Sequence, residues 1–572
     1  MAGTRSTRIL AYAWIGLLAV VIAGPALLPG FALSYDLVFT PRQDLLPASI
    51  GVGGGLPRAA PQDAVVALVE LVVPGAWLEK VILLAIPILV GTGMLRLLPG
   101  TGAGVVGATL AIANPYVAQR LVIGHWGLLL AYALAPWALI VARRVRAGGD
   151  AWDGLRLLLL VAAGSLTPSG SLLISALAVP PVLLPGSAYA PARRLAVTAA
   201  VLAIWLPWLL PAVVHPVATA AVPDGSRVFA LRPDMPGGPL LSALSGGGIW
   251  NAEVVLASRS TVLSVALAIL VLALATWGAR PLVGAVGRCV TSWWALCAVI
   301  GLVAALASAI APGVWSGLLD SVPGAGLARD AHKLLAPWVL LVAAAAGMGA
   351  ARLAGRLRDR SAASALLIAV AAVPLACQPD LLGGAGGRLS AVDYPRDWST
   401  VRQAIEDDGR PGDVASFPWA SFRRFDWNAG RTVLDPAPRW LTRTTVVADD
   451  LVVSTPQGDV VVSGDDPRAQ AIAQALAQGE SVAALMPDLG IGWALVARGT
   501  PGPVPELPGW ERVTDTPTLT LYAAPPGTVT VIHPDSRLVA AVDLAIAVSL
   551  LAGVLALGIR RVRARRAARL VA

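Results

Sequence analysis

Three short polar segments stand at the ends of long apolar runs, and each carries groups that could act on a sugar or a phosphate. The first is Ser34-Tyr35-Asp36-Leu37-Val38-Phe39-Thr40-Pro41-Arg42-Gln43-Asp44. A carboxylate at a membrane boundary, hydrogen-bonded and partly desolvated, can take a proton from an acceptor hydroxyl. That makes Asp36, with Asp44 behind it, the candidate catalytic group; a helix-end carboxylate that faces water is the competing reading. The second is Asn114-Pro115-Tyr116-Val117-Ala118-Gln119-Arg120, followed by Gly124-His125-Trp126-Gly127. Asn-Pro interrupts a helix, Arg120 could grip a phosphate oxygen pair, and Asn114, Tyr116, His125 and Trp126 could meet a sugar. A tight hairpin with a snorkelling arginine is the alternative, although so many polar groups in one turn are unusual beside lipid. The third is Leu327-Ala328-Arg329-Asp330-Ala331-His332-Lys333. Arg329, His332 and Lys333 form a cationic cluster suited to a lipid-linked phosphate, or to headgroup anchoring.

Further along, Phe425-Asp426-Trp427-Asn428 alternates polar and aromatic groups in an apparent loop, so Asp426 and Trp427 are candidate sugar contacts. The other tryptophans of this region read as core. The acid pairs Asp449-Asp450 and Asp465-Asp466 read as turn and cap residues rather than dyads. Three cysteines lie in apolar runs and four histidines are scattered, so neither a disulfide framework nor a metal-ligand spacing is present. No phosphate-binding loop or dinucleotide fingerprint occurs, and no cofactor is called for.

The elements that position these groups follow from composition. Of 572 residues, 56% are hydrophobic and 13% charged, against roughly 25% charged in soluble domains. A soluble enzyme is excluded, and a polytopic α-helical membrane protein is expected. About twelve apolar runs approach the length that spans a bilayer: 9–33, 80–98, 104–118, 122–142, 154–167, 170–186, 195–214, 260–278, 290–310, 334–351, 363–378 and 538–558.

Charge orients them. With both termini cytoplasmic, the tails and loops on that side hold 21 basic residues and three acids, whereas the remainder holds 22 basic and 31 acidic. The net +9 is therefore a record of topology under the positive-inside rule, and nucleic acid is not an expected partner. The Arg560–Arg569 tail reads as a stop-transfer segment and lipid anchor. Nearly every reactive candidate then falls on the outer face of the plasma membrane. Three regions result: a membrane region over 1–378 with outer loops 34–79 and 215–259; an extracytoplasmic α/β domain over 379–537; and a last transmembrane helix with its Arg-rich tail over 538–572. In the α/β domain, helices are expected over Tyr394–Asp408 and Pro467–Gln478. Strands are expected over Asp413–Trp419, Thr444–Val453, Gly492–Ala497 and Thr518–Ala523.

Together these features resemble the GT-C superfamily of integral-membrane glycosyltransferases, which draw on polyprenyl-phosphate sugars. The resemblance rests on the span number, Asp36 in a long loop after the first span, the outward polar hairpins, the Asn114–Arg120 segment with Gly124-His125-Trp126, and the C-terminal outer domain. Actinobacterial arabinofuranosyl- and mannosyltransferases of the cell envelope are nearest in layout, and the arginine-rich, nearly lysine-free composition (only Lys80 and Lys333) agrees with high-GC coding. Many relatives carry adjacent acids in the first loop; here Asp36 stands between Tyr35 and Leu37. The resemblance implies that Asp36 activates the acceptor hydroxyl of an envelope glycan or glycolipid while Arg120, Arg329, His332 and Lys333 hold the leaving polyprenyl phosphate, without a metal. A non-catalytic role in envelope glycolipid assembly or export is the alternative. A transporter is third, since the polar clusters lie at span ends rather than at mid-membrane depth.

Overall fold

The computed structural model describes residues 5–54, 59–214, 225–322, 324–455, 458–532 and 534–571; His215 and His533 lie outside them. Counting helices of eight residues or more, the chain forms α1 (Arg5–Ala23), α2 (Gln62–Glu70), α3 (Gly75–Leu97), α4 (Thr101–Ile112), α5 (Pro115–Val122), α6 (Trp126–Arg146), α7 (Ala151–Gly164) and α8 (Pro168–Ala178). After these come α9 (Pro191–Val214), α10 (Val262–Val286), α11 (Arg288–Ile310), α12 (Pro312–Ser321), α13 (Ala336–Ala354), α14 (Arg360–Cys377), α15 (Arg396–Asp407), α16 (Pro467–Gln478) and α17 (Arg537–Val571).

A helix stands at each of the twelve expected positions. Among the described residues nine are long and apolar enough to cross a membrane; α4, α7 and α8 are shorter. Helices are required here because lipid offers backbone groups no partner. With no hydrophobic drive between helices in lipid, close backbone approach holds them together. A Cβ on Gly278 of α10 would lie 1.9 Å from Ala345 O, and one on Gly349 of α13 would lie 1.9 Å from Leu274 O. Only hydrogen fits at either place, so α10 and α13 touch along their backbones.

The C-terminal sheet contains β1 (Asp413–Phe417), β4 (Thr445–Val446), β7 (Ile491–Ala497), β8 (Glu511–Asp515) and β9 (Leu519–Ala523), in the order β4-β1-β7-β9-β8. β1 runs parallel to β4 and β7, while β9 is antiparallel to β7 and β8. Two hairpins stand apart, β2 (Phe422–Arg424) with β3 (Thr432–Leu434) and β5 (Leu451–Thr455) with β6 (Gly458–Val462). The pleat sends Trp493 and Leu495 of β7 to one face with Trp398, Val401 and Ile405 of α15. Ala494 goes to the other face, and a bulge at the start of β7 sends Ile491 there too, with Ala469 and Ile472 of α16. The α15 face shares one continuous core with the helical bundle.

The helices and strands expected between Tyr394 and Ala523 recur within a residue or two, with one exception. The single strand expected over Thr444–Val453 is two, β4 and β5. Between them Asp450 accepts Gly464 N–H at 2.7 Å, and Asp449 accepts Asp465 and Asp466 N–H at 2.5 and 2.8 Å. Those bonds draw the chain out of the sheet. Asp466 caps α16 through Arg468 N–H at 2.9 Å.

Candidate functional site

The site is built on α5, a helix buried along its whole length. Asn114 starts it: the side-chain oxygen accepts Val117 N–H at 2.9 Å, and the amide donates to Leu110 and Ala111 carbonyls ending α4. Pro115 fits the first turn because its missing N–H would have had no partner there. Asn114 is thus committed to joining two helices. The helix ends at Gly124, whose φ is +84°; a Cβ there would lie 2.0 Å from Leu37 N. The chain after α1 therefore runs directly against this turn.

That contact fixes Asp36. Its N–H donates to Ile123 O at 3.1 Å, and Ser34 Oγ donates to Val122 O at 2.7 Å. On the other side Tyr35 bridges to the β2–β3 hairpin, its N–H donating to Thr432 O at 2.8 Å and its carbonyl accepting Leu434 N–H at 2.9 Å. The Tyr35 hydroxyl donates to Glu253 at 2.5 Å, which ties in the segment before α10. Helical bundle, hairpin and loop all converge on one residue.

His125 Nε2 lies 3.1 Å from the Asp36 carboxylate. Arg120 Nη1 lies 2.9 Å from His125 Nδ1, and Arg120 Nη2 lies 2.8 Å from His332 Nδ1. The same guanidinium meets Asp330 at 2.6 and 2.8 Å. Since guanidinium only donates, both imidazoles accept at Nδ1 and carry their proton on Nε2. His125 then donates to Asp36, and His332 donates to Gly246 O at 3.3 Å.

Burial pushes the Asp36 carboxyl upward. The hydrogen bond from His125 and the charges of Arg439 and Lys333 outweigh it and hold the group below the ordinary carboxylate range. Burial, with Lys333, pushes His125 downward despite Asp36, so the imidazole is neutral at pH 7. Burial also works against Asp330, but the charge and hydrogen bonds of Arg120 hold it well below the usual range. The outcome is an ionised Asp36, 39% exposed, beside a neutral donor and two cations.

The sequence candidates divide accordingly. Asp36, His125 and Lys333 come together, with Arg120 and His332 behind them. Arg120 is fully buried and its two terminal nitrogens are engaged by protein groups rather than turned toward a ligand. Tyr116 stacks between Tyr132 and His332 and donates to Lys333 O at 3.0 Å. Trp126 is buried against Phe39. Asp44 does not join Asp36; it pairs with Arg402 of α15 at 2.5 Å. Arg329 stacks on Phe229. Trp427 sits half-buried among Tyr394, Trp398 and Phe425, and Asp426 is exposed beside it.

Three important residues were not among the sequence candidates. Asp330 is the counter-ion of Arg120. Arg439, paired with Asp63 at 3.2 Å, comes from the sheet region to face Asp36. Asp234 holds Gln119 of α5 at 2.6 Å and Arg259 at 2.9 Å. Their partners are distant in sequence, so no local spacing could reveal them. Among the described residues no group of three or more His, Cys, Asp or Glu side chains is disposed to hold a metal ion.

No protein-family model and no curated protein matches the sequence. Solved structures do match. The chain shares its fold with AftD. The structure of the arabinofuranosyltransferase AftD from mycobacteria superposes with a TM-score of 0.53 over 92% of this chain, at 17% identity. A mutant form of AftD gives 0.51 over 93%, at 18% identity. The likeness is one of fold. This chain spans 40% and 42% of those two AftD chains, so it corresponds to less than half of AftD's length.

Proposed function

We propose that the protein is a GT-C-type glycosyltransferase that moves a sugar from a polyprenyl-phosphate donor to an envelope glycan or glycolipid at the outer face of the plasma membrane. The observation that carries the proposal is the Asp36–His125 pair at 3.1 Å, facing the charges of Lys333 and Arg439 in a fold shared with AftD. Asp36 takes the proton of the acceptor hydroxyl, whose oxygen bonds to the anomeric carbon as the carbon–oxygen bond to phosphate breaks. The polyprenyl phosphate leaves with that electron pair. Lys333 and Arg439 oppose the charge developing on it, a stabilisation that grows toward the transition state. Arg120, Asp330 and His332 are positioning residues, and Arg329 adds to the positive field felt at Lys333.

The topology belongs to the same proposal. Twelve spans with both termini cytoplasmic put Asp36 and the 379–537 α/β domain outside, where lipid-linked donors rather than nucleotides are at hand. Asp426 and Trp427, on the hairpin that pairs with Tyr35, are placed to guide an acceptor glycan toward Asp36.

Purified protein in bilayers, given labelled polyprenyl-phosphate sugars with an arabinofuranosyl donor first, tests the reaction. Wild type should consume donor in the presence of acceptor, and Asp36→Asn should not. If wild type turns over no donor while Asp36→Asn still supports cells that need the protein, the non-catalytic reading in glycolipid assembly or export takes its place.

A further inference from the structure

Helix α12 (Pro312–Ser321) follows the spanning helix α11 after a single break. Ala311 between them has φ −132° and ψ 60°, because the ring of Pro312 keeps the preceding residue out of the helical region. With 23 residues, α11 is about 34 Å long, enough by itself to cross about 30 Å of hydrocarbon. Helix α12 therefore starts where the hydrocarbon ends, at the end of the bundle that holds Asp330, His332 and Lys333.

The sides of α12 differ. Trp315 and Leu319 turn inward and share a small core with Ala304 of α11 and with Ala331, the residue between Asp330 and His332. Next to that side, Val314 is 74% exposed and Leu318 52%, and Val322, just past the helix, is 48% exposed. Gly313, Gly317, Asp320 and Ser321 make up the remaining side and are exposed too. At the helical spacing the apolar groups fill one continuous arc, part buried in the protein and part bare, with Asp320 opposite. The bare part continues a longer series. Val299, Ile300, Val303 and Ile310 are the exposed stripe of α11, which a spanning helix turns to lipid. From Ile310 the series runs on into α12 at every fourth residue, through Val314 and Leu318 to Val322.

We propose that α12 is an interfacial helix whose Val314–Leu318 edge beds in the boundary between acyl chains and headgroups, with Asp320 turned to water. A helix placed wholly in hydrocarbon would bury the Asp320 carboxylate. One placed wholly in water would leave Val314, Leu318 and Val322 bare. Only the boundary suits both sides. Through Trp315 and Leu319 the bedded helix then holds the Asp330–Lys333 segment at a set depth. The inference rests on the membrane spans of the fold and not on the glycosyltransferase reading.

The test uses the full chain in phosphatidylcholine vesicles, with its three native cysteines replaced by alanine and one new cysteine carrying an environment-sensitive fluorophore. The variants are Val314→Cys and Leu318→Cys on the apolar edge, Gly317→Cys and Asp320→Cys on the polar one, and Ile300→Cys within α11. All five side chains are exposed, so the label displaces no packed group. The quenchers are aqueous iodide and phosphatidylcholine with a nitroxide either near the headgroup or near the end of the acyl chain. Ile300→Cys, quenched most by the chain-end nitroxide, reports a normally inserted α11. Val314→Cys and Leu318→Cys should be quenched several-fold more by the headgroup-proximal nitroxide than by iodide, and Gly317→Cys and Asp320→Cys the reverse. Equal quenching of all four by iodide would put α12 in water and overturn the proposal. Stronger quenching of Val314→Cys and Leu318→Cys by the chain-end nitroxide would make α12 part of a span. Protection of those two positions from every quencher would show that protein, a second copy of this chain, covers the edge instead of lipid.

Discussion

Arg120 Nη1 lies 2.9 Å from His125 Nδ1, and this contact decides which nitrogen of His125 carries the proton. A guanidinium has five N–H groups and no lone pair to offer. His125 must accept at Nδ1 and can donate only from Nε2, the atom that faces Asp36 at 3.1 Å. A fully buried arginine thus sets the state of the carboxylate without touching it, by fixing the tautomer of the group that does.

Removing the guanidinium separates structure from positioning. Arg120→Ala leaves Asp330 buried with only Lys333, 4.0 Å away, to oppose its charge, and breaking such a buried pair costs roughly 3–5 kcal/mol. Arg120→Met combined with Asp330→Leu removes both charges and should recover most of that stability in thermal unfolding. The double variant should still be slow in sugar transfer, because nothing then fixes the His125 tautomer. Full activity in the double variant would assign Arg120 a purely structural part.

Asp36→Asn keeps the size and the backbone contacts of the residue but cannot accept the proton. Sugar transfer should fall by about 10²–10⁴-fold, the usual contribution of a positioned base, with little change in melting temperature. His125→Gln moves the pH dependence instead. The hydrogen bond from His125 helps hold the Asp36 pKa down against burial, so without it the pKa rises. The acid limb of the pH–rate profile, below the ordinary carboxylate range in wild type, should shift upward toward neutrality. A limb that does not move would take Asp36 out of the rate equation.

Much of this was legible in the sequence, and the reasons are physical. Apolar runs and the arginine bias of the short loops report helices directly, because a bilayer tolerates little else. Asp36, Asn114–Arg120 and Arg329–Lys333 stood out since polar residues beside lipid need a reason to be there. What stayed hidden was how they pair. Arg120 could read as a phosphate ligand because its counter-ion, Asp330, is 210 residues away, and Arg439 reaches Asp36 only through the docking of the sheet region. The same holds for Asp44, which looks like a second acid of the site until Arg402 of α15 claims it. Strand β8 escaped notice because its residues are largely exposed and show no alternation.

The turn after α5 offers a sharper probe of placement. Gly124 needs a positive φ, and any Cβ would collide with Leu37 N and the Asp36 backbone. Gly124→Ala should displace the loop rather than the helices, since the clash is with the Asp36–Leu37 backbone and not with a neighbouring helix. Transfer activity should fall at least tenfold while the helical circular dichroism stays unchanged. Retained activity would mean that Asp36 is not held by this contact.

Glu70, at the end of α2, gives a prediction about stability and pH. Its side chain accepts Gln43 N–H at 2.5 Å, yet one oxygen is buried without a partner among the described residues. Burial raises its pKa from 4.5 to about 7, against the Gln43 bond and the charge of Arg439, with Asp63 and Asp44 adding to the rise. A raised carboxyl binds its proton more tightly in the folded state than in the unfolded one. By linkage its contribution is fully present below about pH 4.5 and is lost as pH rises through about 7. Glu70→Gln keeps an acceptor for Gln43 and never ionises. Its melting temperature should match that of wild type near pH 5 and exceed it at pH 8. The same gain at both pH values would show that the carboxyl does not titrate in this window.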